Sequence, residues 1–91
     1  MPLNHHPPLN DLRQLLKMAG FEKKVDILDN PPLIGVEKWT KELQLVEIFY
    51  LNKKIEHINI FNDNTQIPPE QFIKSNLEIL RNNKIILLLN Y

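Results

Sequence analysis

The chain has 91 residues, of which 43% are hydrophobic and 24% charged, a balance typical of one globular domain and not of a disordered or fibrous chain. Lys and Arg together number 11, as do Asp and Glu, so no overall charge favours binding to nucleic acid or to an anionic membrane. The absence of Cys excludes disulfides, thiolate nucleophiles and cysteine zinc sites.

Residues 1–9 are predicted to form an extended N-terminal arm, followed by a single α+β domain at 10–91. Prolines at three of the nine positions disfavour a helix in the arm because each lacks a backbone N–H group. These prolines are Pro2, Pro7 and Pro8.

A stripe of leucines predicts the first helix at 10–19. Asn10 is the predicted N-cap, and Gly20 is the predicted stop, because glycine readily adopts the left-handed conformation that ends many helices. We expect Phe21 to pack back onto Leu16, as in a Schellman motif.

Two strands are predicted next, at 25–28 and 33–40, separated by an Asp-Asn-Pro-Pro turn signal. The following stretch, 42–63, reads as a β-hairpin with a polar tip. A three-residue tip at 52–54 places five apolar side chains on one face: Val46, Ile48, Tyr50, Ile58 and Ile60. A two-residue turn is the alternative, but it would place Glu47 beside Ile58 on one side of the sheet, so the pattern favours the longer tip.

The second face of this hairpin is also largely apolar. It is predicted to carry Leu45, Glu47, Phe49, Leu51, Ile55 and Phe61. Such a face is covered either by the rest of the fold or by a partner.

The C-terminal third is predicted to begin with a polar loop at 63–69, followed by a helix at 70–82 and a strand at 84–90. The strand lacks alternation, which is typical of burial on both faces of a sheet. With the second hairpin strand these elements form a β-α-β unit. The fold class is therefore α+β, with a mainly antiparallel sheet of four or five strands, a central hairpin and two helices on one face.

No catalytic, cofactor-binding or metal-binding residues are predicted. The two glycines, Gly20 and Gly35, belong to no phosphate-binding pattern, and the one serine, Ser75, falls within a predicted helix. His57, beside Glu56 on a predicted strand, is expected to have a structural or surface role. The strand carboxylates, including Glu37, are interpreted as solvated.

The first functional hypothesis is a small, non-enzymatic protein-interaction module: a regulator, an inhibitor or an immunity-type partner that also associates with itself. It depends on the abundance of apolar strand surface in a small domain. The interface candidates are Trp39, Phe49, Leu51 and Phe61.

The alternative hypothesis is a nucleic-acid-binding protein or a small nuclease-like toxin. Lys23, Lys24, Lys53 and Lys54 could form a basic rim along which single strands bind. Arginine, the usual residue for bidentate phosphate and base contacts, occurs only twice, so nucleic acid is the less favoured partner.

The longest apolar run, 85–89, is far too short to span a membrane, and the N-terminus lacks a secretory pattern. We therefore expect a cytoplasmic protein with no membrane partner. Asn and Ile occur eleven times each and Lys outnumbers Arg nine to two, which suggests an AT-rich bacterial or viral genome.

Overall fold

A five-stranded sheet is the largest element of the computed structural model, which describes residues 6–31 and 33–82. All four strand pairs are antiparallel, and the strands follow chain order across the sheet. The elements are α1 (Leu9–Met18), β1 (Glu22–Asp29), β2 (Ile34–Lys41), β3 (Gln44–Leu51), β4 (Lys54–Asn62), β5 (Thr65–Ile67), α2 (Pro69–Ser75) and α3 (Leu77–Asn82). The α+β class with an antiparallel sheet is thus confirmed.

The end of α1 confirms the predicted Schellman motif. Gly20 has a φ of 95°, and the Phe21 N–H donates to the Leu16 carbonyl at 2.9 Å. The Gly20 N–H donates to the carbonyl of Lys17 at 3.1 Å, which completes the motif. Local chemistry alone therefore determines where this helix stops.

The start of α1 differs from the prediction. Pro8 occupies the N-cap position without a side-chain cap, and Asn10 lies inside the first turn. There the Asn10 Oδ1 atom accepts a hydrogen bond from Arg13 Nη1 at 3.2 Å. Proline is suited to this boundary because its own missing N–H removes one of the donors that a helix start would leave unpaired.

The central hairpin has a two-residue turn, so the predicted three-residue tip is wrong. Asn52 and Lys53 both have a positive φ, 49° and 67°, as a type I′ turn requires. The predicted buried face is nevertheless correct, because a β-bulge lies next to the turn. Phe49 pairs with His57 while Tyr50 pairs with Ile55, which leaves one extra residue in β4 between them.

The bulge also corrects one side-chain assignment. Ile55 was expected on the second face, but it pairs with Tyr50 and packs against the core on the first face. One extra residue shifts the side chains between the bulge and the turn to the opposite face.

The predicted polar loop at 63–69 contains a short strand. Asp63 and Asn64 form a second turn with positive φ values, 51° and 65°, and β5 pairs with β4 after it. The predicted strand at 84–90 lies outside the described residues, and so does the last member of the predicted β-α-β unit.

The predicted helix at 70–82 is divided in two at Asn76. The Asn76 side-chain amide donates to the Phe72 carbonyl at 2.7 Å, and the Asn76 backbone N–H bonds to Ile73 at 3.0 Å instead. The side chain thus competes with the backbone for the acceptor that would continue the helix. Propensity did not reveal this break because the apolar stripe continues through it.

The core lies between the helices and one face of the sheet. It contains Leu12, Leu15 and Leu16 from α1, Phe72, Ile73 and Leu80 from α2 and α3, and Trp39, Val46, Ile48, Tyr50, Ile58 and Ile60 from the strands. Phe21 and Phe72 meet edge to face, with ring centroids 5.9 Å apart. The other face of the sheet contributes no residue to this core.

Candidate interaction surface

The face of the sheet opposite the helices, here called the open face, carries an apolar patch near the Asn52 turn. Strand register places its side chains in two adjacent rows across β1, β2 and β3. The patch consists of Ile27, Ile34, Val36, Phe49 and Leu51. Ile27 is 53% exposed and Ile34 is 47% exposed, so the described part of the chain leaves the patch accessible.

A polar row crosses the open face beside this patch. The Lys38 ammonium lies 3.3 Å from the Glu47 carboxylate, and Asn59 Nδ2 donates to Glu47 at 3.4 Å. The Asn59 Oδ1 atom in turn accepts from Gln66 at 3.3 Å. This network separates the apolar patch from a smaller pair, Leu45 and Phe61, at the far end of the strands.

The predicted interface residues are therefore not all together. Phe49 and Leu51 belong to the apolar patch, whereas Phe61 lies beyond the polar row, opposite Leu45. Trp39 is only 1% exposed and belongs to the core on the opposite face. Trp39 follows Gly35 and Glu37 on the buried face of β2, so its side chain is not part of an exposed surface.

His57 is exposed at the border of the apolar patch. Its ring centroid is 6.2 Å from that of Phe49, and its Nε2 atom is 2.7 Å from Asn59 Oδ1. Within residues 6–31 and 33–82, no three His, Asp or Glu side chains are grouped in a way that could hold a metal ion.

A buried ion pair on the helix-covered face was not predicted. Glu37 is fully buried, and its carboxylate accepts hydrogen bonds from Arg13 Nε at 2.9 Å and from Trp39 Nε1 at 3.0 Å. Arg13 Nη2 also donates to Glu37. The prediction that the strand carboxylates are solvated is therefore wrong for Glu37. The signal was present in the sequence, because Gly35, Glu37 and Trp39 alternate on one side of β2.

The ion pair influences its neighbours. The hydrogen bonds that Arg13 donates to Glu37 raise the pKa of Arg13, so the guanidinium stays charged. Arg13 lies over the Tyr50 ring at 5.7 Å from its centroid. Burial, with a smaller contribution from the Glu37 charge, raises the pKa of the Tyr50 phenol.

The two predicted lysine pairs do not form a single rim. Lys23 pairs with Trp39 of β2. Lys54 pairs with Leu51 of β3, which in turn pairs with Ile34 of β2, five residues before Trp39. At a rise of about 3.3 Å per residue, these two positions in β2 lie roughly 17 Å apart along the strand direction.

Two clefts lie along the side of α1, between these two groups of lysines. The larger, about 790 Å³, lies between the start of α1 and the Asn52 turn and includes Lys53 and Lys54 in its wall. The smaller, about 480 Å³, lies between α1 and β1 and includes Lys17 and Lys23. Both clefts have Asn10 and Arg13 in their walls, so the two residues lie between them. The two neighbouring clefts are together called the groove here.

No protein-family model matches this chain, and no curated protein or solved structure is significantly similar to it. The described helices include none that is long and apolar enough to cross a membrane.

Proposed function

We propose that the protein is a small, non-enzymatic interaction module, acting as a regulator, inhibitor or immunity-type partner, that associates with itself through the open face. The proposal depends on the apolar patch, because all five of its side chains remain partly accessible to solvent. Ile27 and Ile34 are about half exposed, the other three are half-buried, and no described element packs over them. The lack of Cys suits action in a reducing compartment such as the cytoplasm.

Covering the apolar patch would stabilise the folded protein. Full burial of a large apolar side chain contributes about 1.5–3 kcal/mol relative to exposure. Even partial burial of the five patch residues would therefore contribute substantially to the free energy of association. In a domain of marginal stability, a second copy that binds only the folded state shifts the equilibrium toward it. Most soluble oligomers are closed homo-oligomers, which makes the second copy the preferred occupant.

The polar row favours a specific interface over non-specific hydrophobic association. A specific interface buries roughly 1,200–2,000 Å² in total, with an apolar centre and a polar rim. Lys38, Glu47 and Asn59 form such a rim on one side of the patch. Their existing hydrogen bonds hold the charged groups in place, so they need little reorganisation when a second sheet packs against the patch.

Sedimentation velocity at micromolar concentration tests this proposal. We expect a mass near twice that of one chain, 10.8 kDa, for the unaltered protein and a single-chain mass for Phe49→Asp. Leu43→Asp is the matched control, because Leu43 is 68% exposed in the turn between β2 and β3 and lies outside the patch. Circular dichroism should show folded protein in every case.

A monomer at all concentrations would overturn the proposed self-association, as would a dimer that Phe49→Asp leaves intact. In the first case the face is either covered within one chain or reserved for another protein. A dimer lost in both variants would indicate general destabilisation and would likewise contradict a patch-specific interface.

A further inference from the structure

The groove beside α1 concentrates positive charge in a protein whose formal net charge is zero. The described residues that line it include five cationic ones, contributed by α1, β1, the Asn52 turn and the first residue of β4. They are Arg13, Lys17, Lys23, Lys53 and Lys54. Two of the five are already paired with carboxylates: Lys23 with Asp26, at 2.9 Å, and Arg13 with the buried Glu37. The net positive charge of the groove therefore comes from Lys17, Lys53 and Lys54.

The cations keep much of their hydrogen-bonding capacity. Within the described residues, Lys17, Lys53 and Lys54 form no ion pair. Arg13 uses two N–H groups on Glu37 and one on Asn10 out of the five that a guanidinium carries. The remaining N–H groups of these side chains can donate hydrogen bonds to carboxylates or phosphates.

The second feature of the groove is a free sheet edge. β1 is an edge strand, and no described strand lies beyond it. A bulge at Lys24 interrupts its pairing with β2, but the pairing is regular from Val25 to Asp29. No described strand pairs with the outer N–H and C=O groups of this stretch, and an extended chain can add to such an edge.

The aromatic side chains beside the groove favour a peptide over a nucleic acid. Binding of single-stranded nucleic acid depends on exposed aromatic rings that stack with bases. Trp39 and Tyr50 are 1% and 5% exposed, so neither ring face is available for stacking. The exposed apolar side chain at this end is Leu28, which suits an aliphatic residue of a peptide.

We propose that the groove binds an extended, acidic segment of a partner protein, which pairs with β1 at 25–29 and directs carboxylates toward the cations. This inference rests on the proposed function as an interaction module and names the chemistry of a partner other than a second copy. Charged groups that remain partly solvated raise the association rate and select the partner more than they add affinity.

Fluorescence anisotropy with a labelled decapeptide of alternating Glu and Val tests the proposal. We expect it to bind, and we expect Lys17→Glu and Lys54→Glu each to raise its Kd about tenfold. Arg81→Glu is the matched control, because Arg81 lies in the last turn of α3 just as Lys17 lies in the last turn of α1. The control should leave the Kd unchanged.

Three outcomes would overturn the inference: no binding of the peptide, equal weakening by Arg81→Glu, or tighter binding of an oligothymidylate of the same length. The last result would assign the groove to single-stranded nucleic acid. Sedimentation of the same samples separates this test from the proposed self-association, since Lys17→Glu should leave the dimer intact and Phe49→Asp should leave peptide binding intact.

Discussion

Removal of the Arg13 side-chain charge is the sharpest test of how this fold is held together. Arg13→Met keeps a long, unbranched side chain but removes the guanidinium that lies over the Tyr50 ring. Among the described residues it leaves Glu37 with the Trp39 indole as its one hydrogen-bond donor. Glu37 is 0% exposed, so the substitution would leave its carboxylate buried without a cation. Burying an unpaired charge costs stability.

The expected loss is about 3 kcal/mol of the free energy of unfolding. Removing one partner of a buried ion pair typically costs about 3–5 kcal/mol. The Arg13 side chain is 29% exposed, so water can enter the vacated space, which favours the lower end of that range. Because a domain of this size has a total stability of about 5 kcal/mol, the variant should be close to unfolding.

Urea denaturation followed by far-ultraviolet circular dichroism measures the change. Glu37→Gln keeps an oxygen that can accept from Trp39 and should cost about 1–2 kcal/mol. The double variant Arg13→Met with Glu37→Gln no longer buries an unpaired charge, so it should be more stable than Arg13→Met alone. Lys24→Met breaks an exposed ion pair with Glu22 and is the control, because it should leave the urea midpoint almost unchanged.

Two results would refute the reasoning. A loss of less than about 1 kcal/mol for Arg13→Met would show that Glu37 is effectively solvated. Additive losses in the double variant would show that Arg13 and Glu37 contribute independently.

Three further predictions concern the glycines and Tyr50. Gly35→Ala should cost about 3 kcal/mol in urea unfolding, because the added Cβ would lie 2.0 Å from the Tyr50 ring, and much less in a Tyr50→Leu background. Gly20→Ala should cost only about 1 kcal/mol, because a φ of 95° disfavours alanine but the nearest atom to the added Cβ, in Lys41, would lie 3.5 Å away. An unchanged midpoint of urea unfolding would contradict the role of Gly20 in ending α1. The raised pKa of Tyr50 means that the folded state retains a proton that the unfolded state releases, so stability should decline as the pH rises above about 10. Absorbance titration of Tyr91→Phe, which leaves one tyrosine, should show the late ionisation, and an ordinary midpoint would contradict the burial of Tyr50.

Features that depend on nearby residues could be predicted from the sequence. Gly20 ends α1 because a left-handed residue can satisfy the last carbonyls of the helix, and that requirement involves only adjacent positions. The alternation in β3 likewise identified Val46, Ile48 and Tyr50 as a buried face. The accessible positions of Phe49 and Leu51 on the open face follow from the same alternation.

Features that depend on contacts between distant segments were decided by the tertiary structure. The bulge in β4 reconciles a two-residue turn with burial of Ile58, and strand pairing selects it because the alternative would expose the apolar face. Arg13 and Glu37 are 24 residues apart, so their pairing depends on how α1 packs across the sheet. Within the described residues, the same packing leaves β1 at the edge of the sheet and brings cations of α1, β1 and the central hairpin to the groove. Strand patterns specify which face of a strand is apolar, but only the packed fold determines which polar groups share a low-dielectric interior and which cations share a surface.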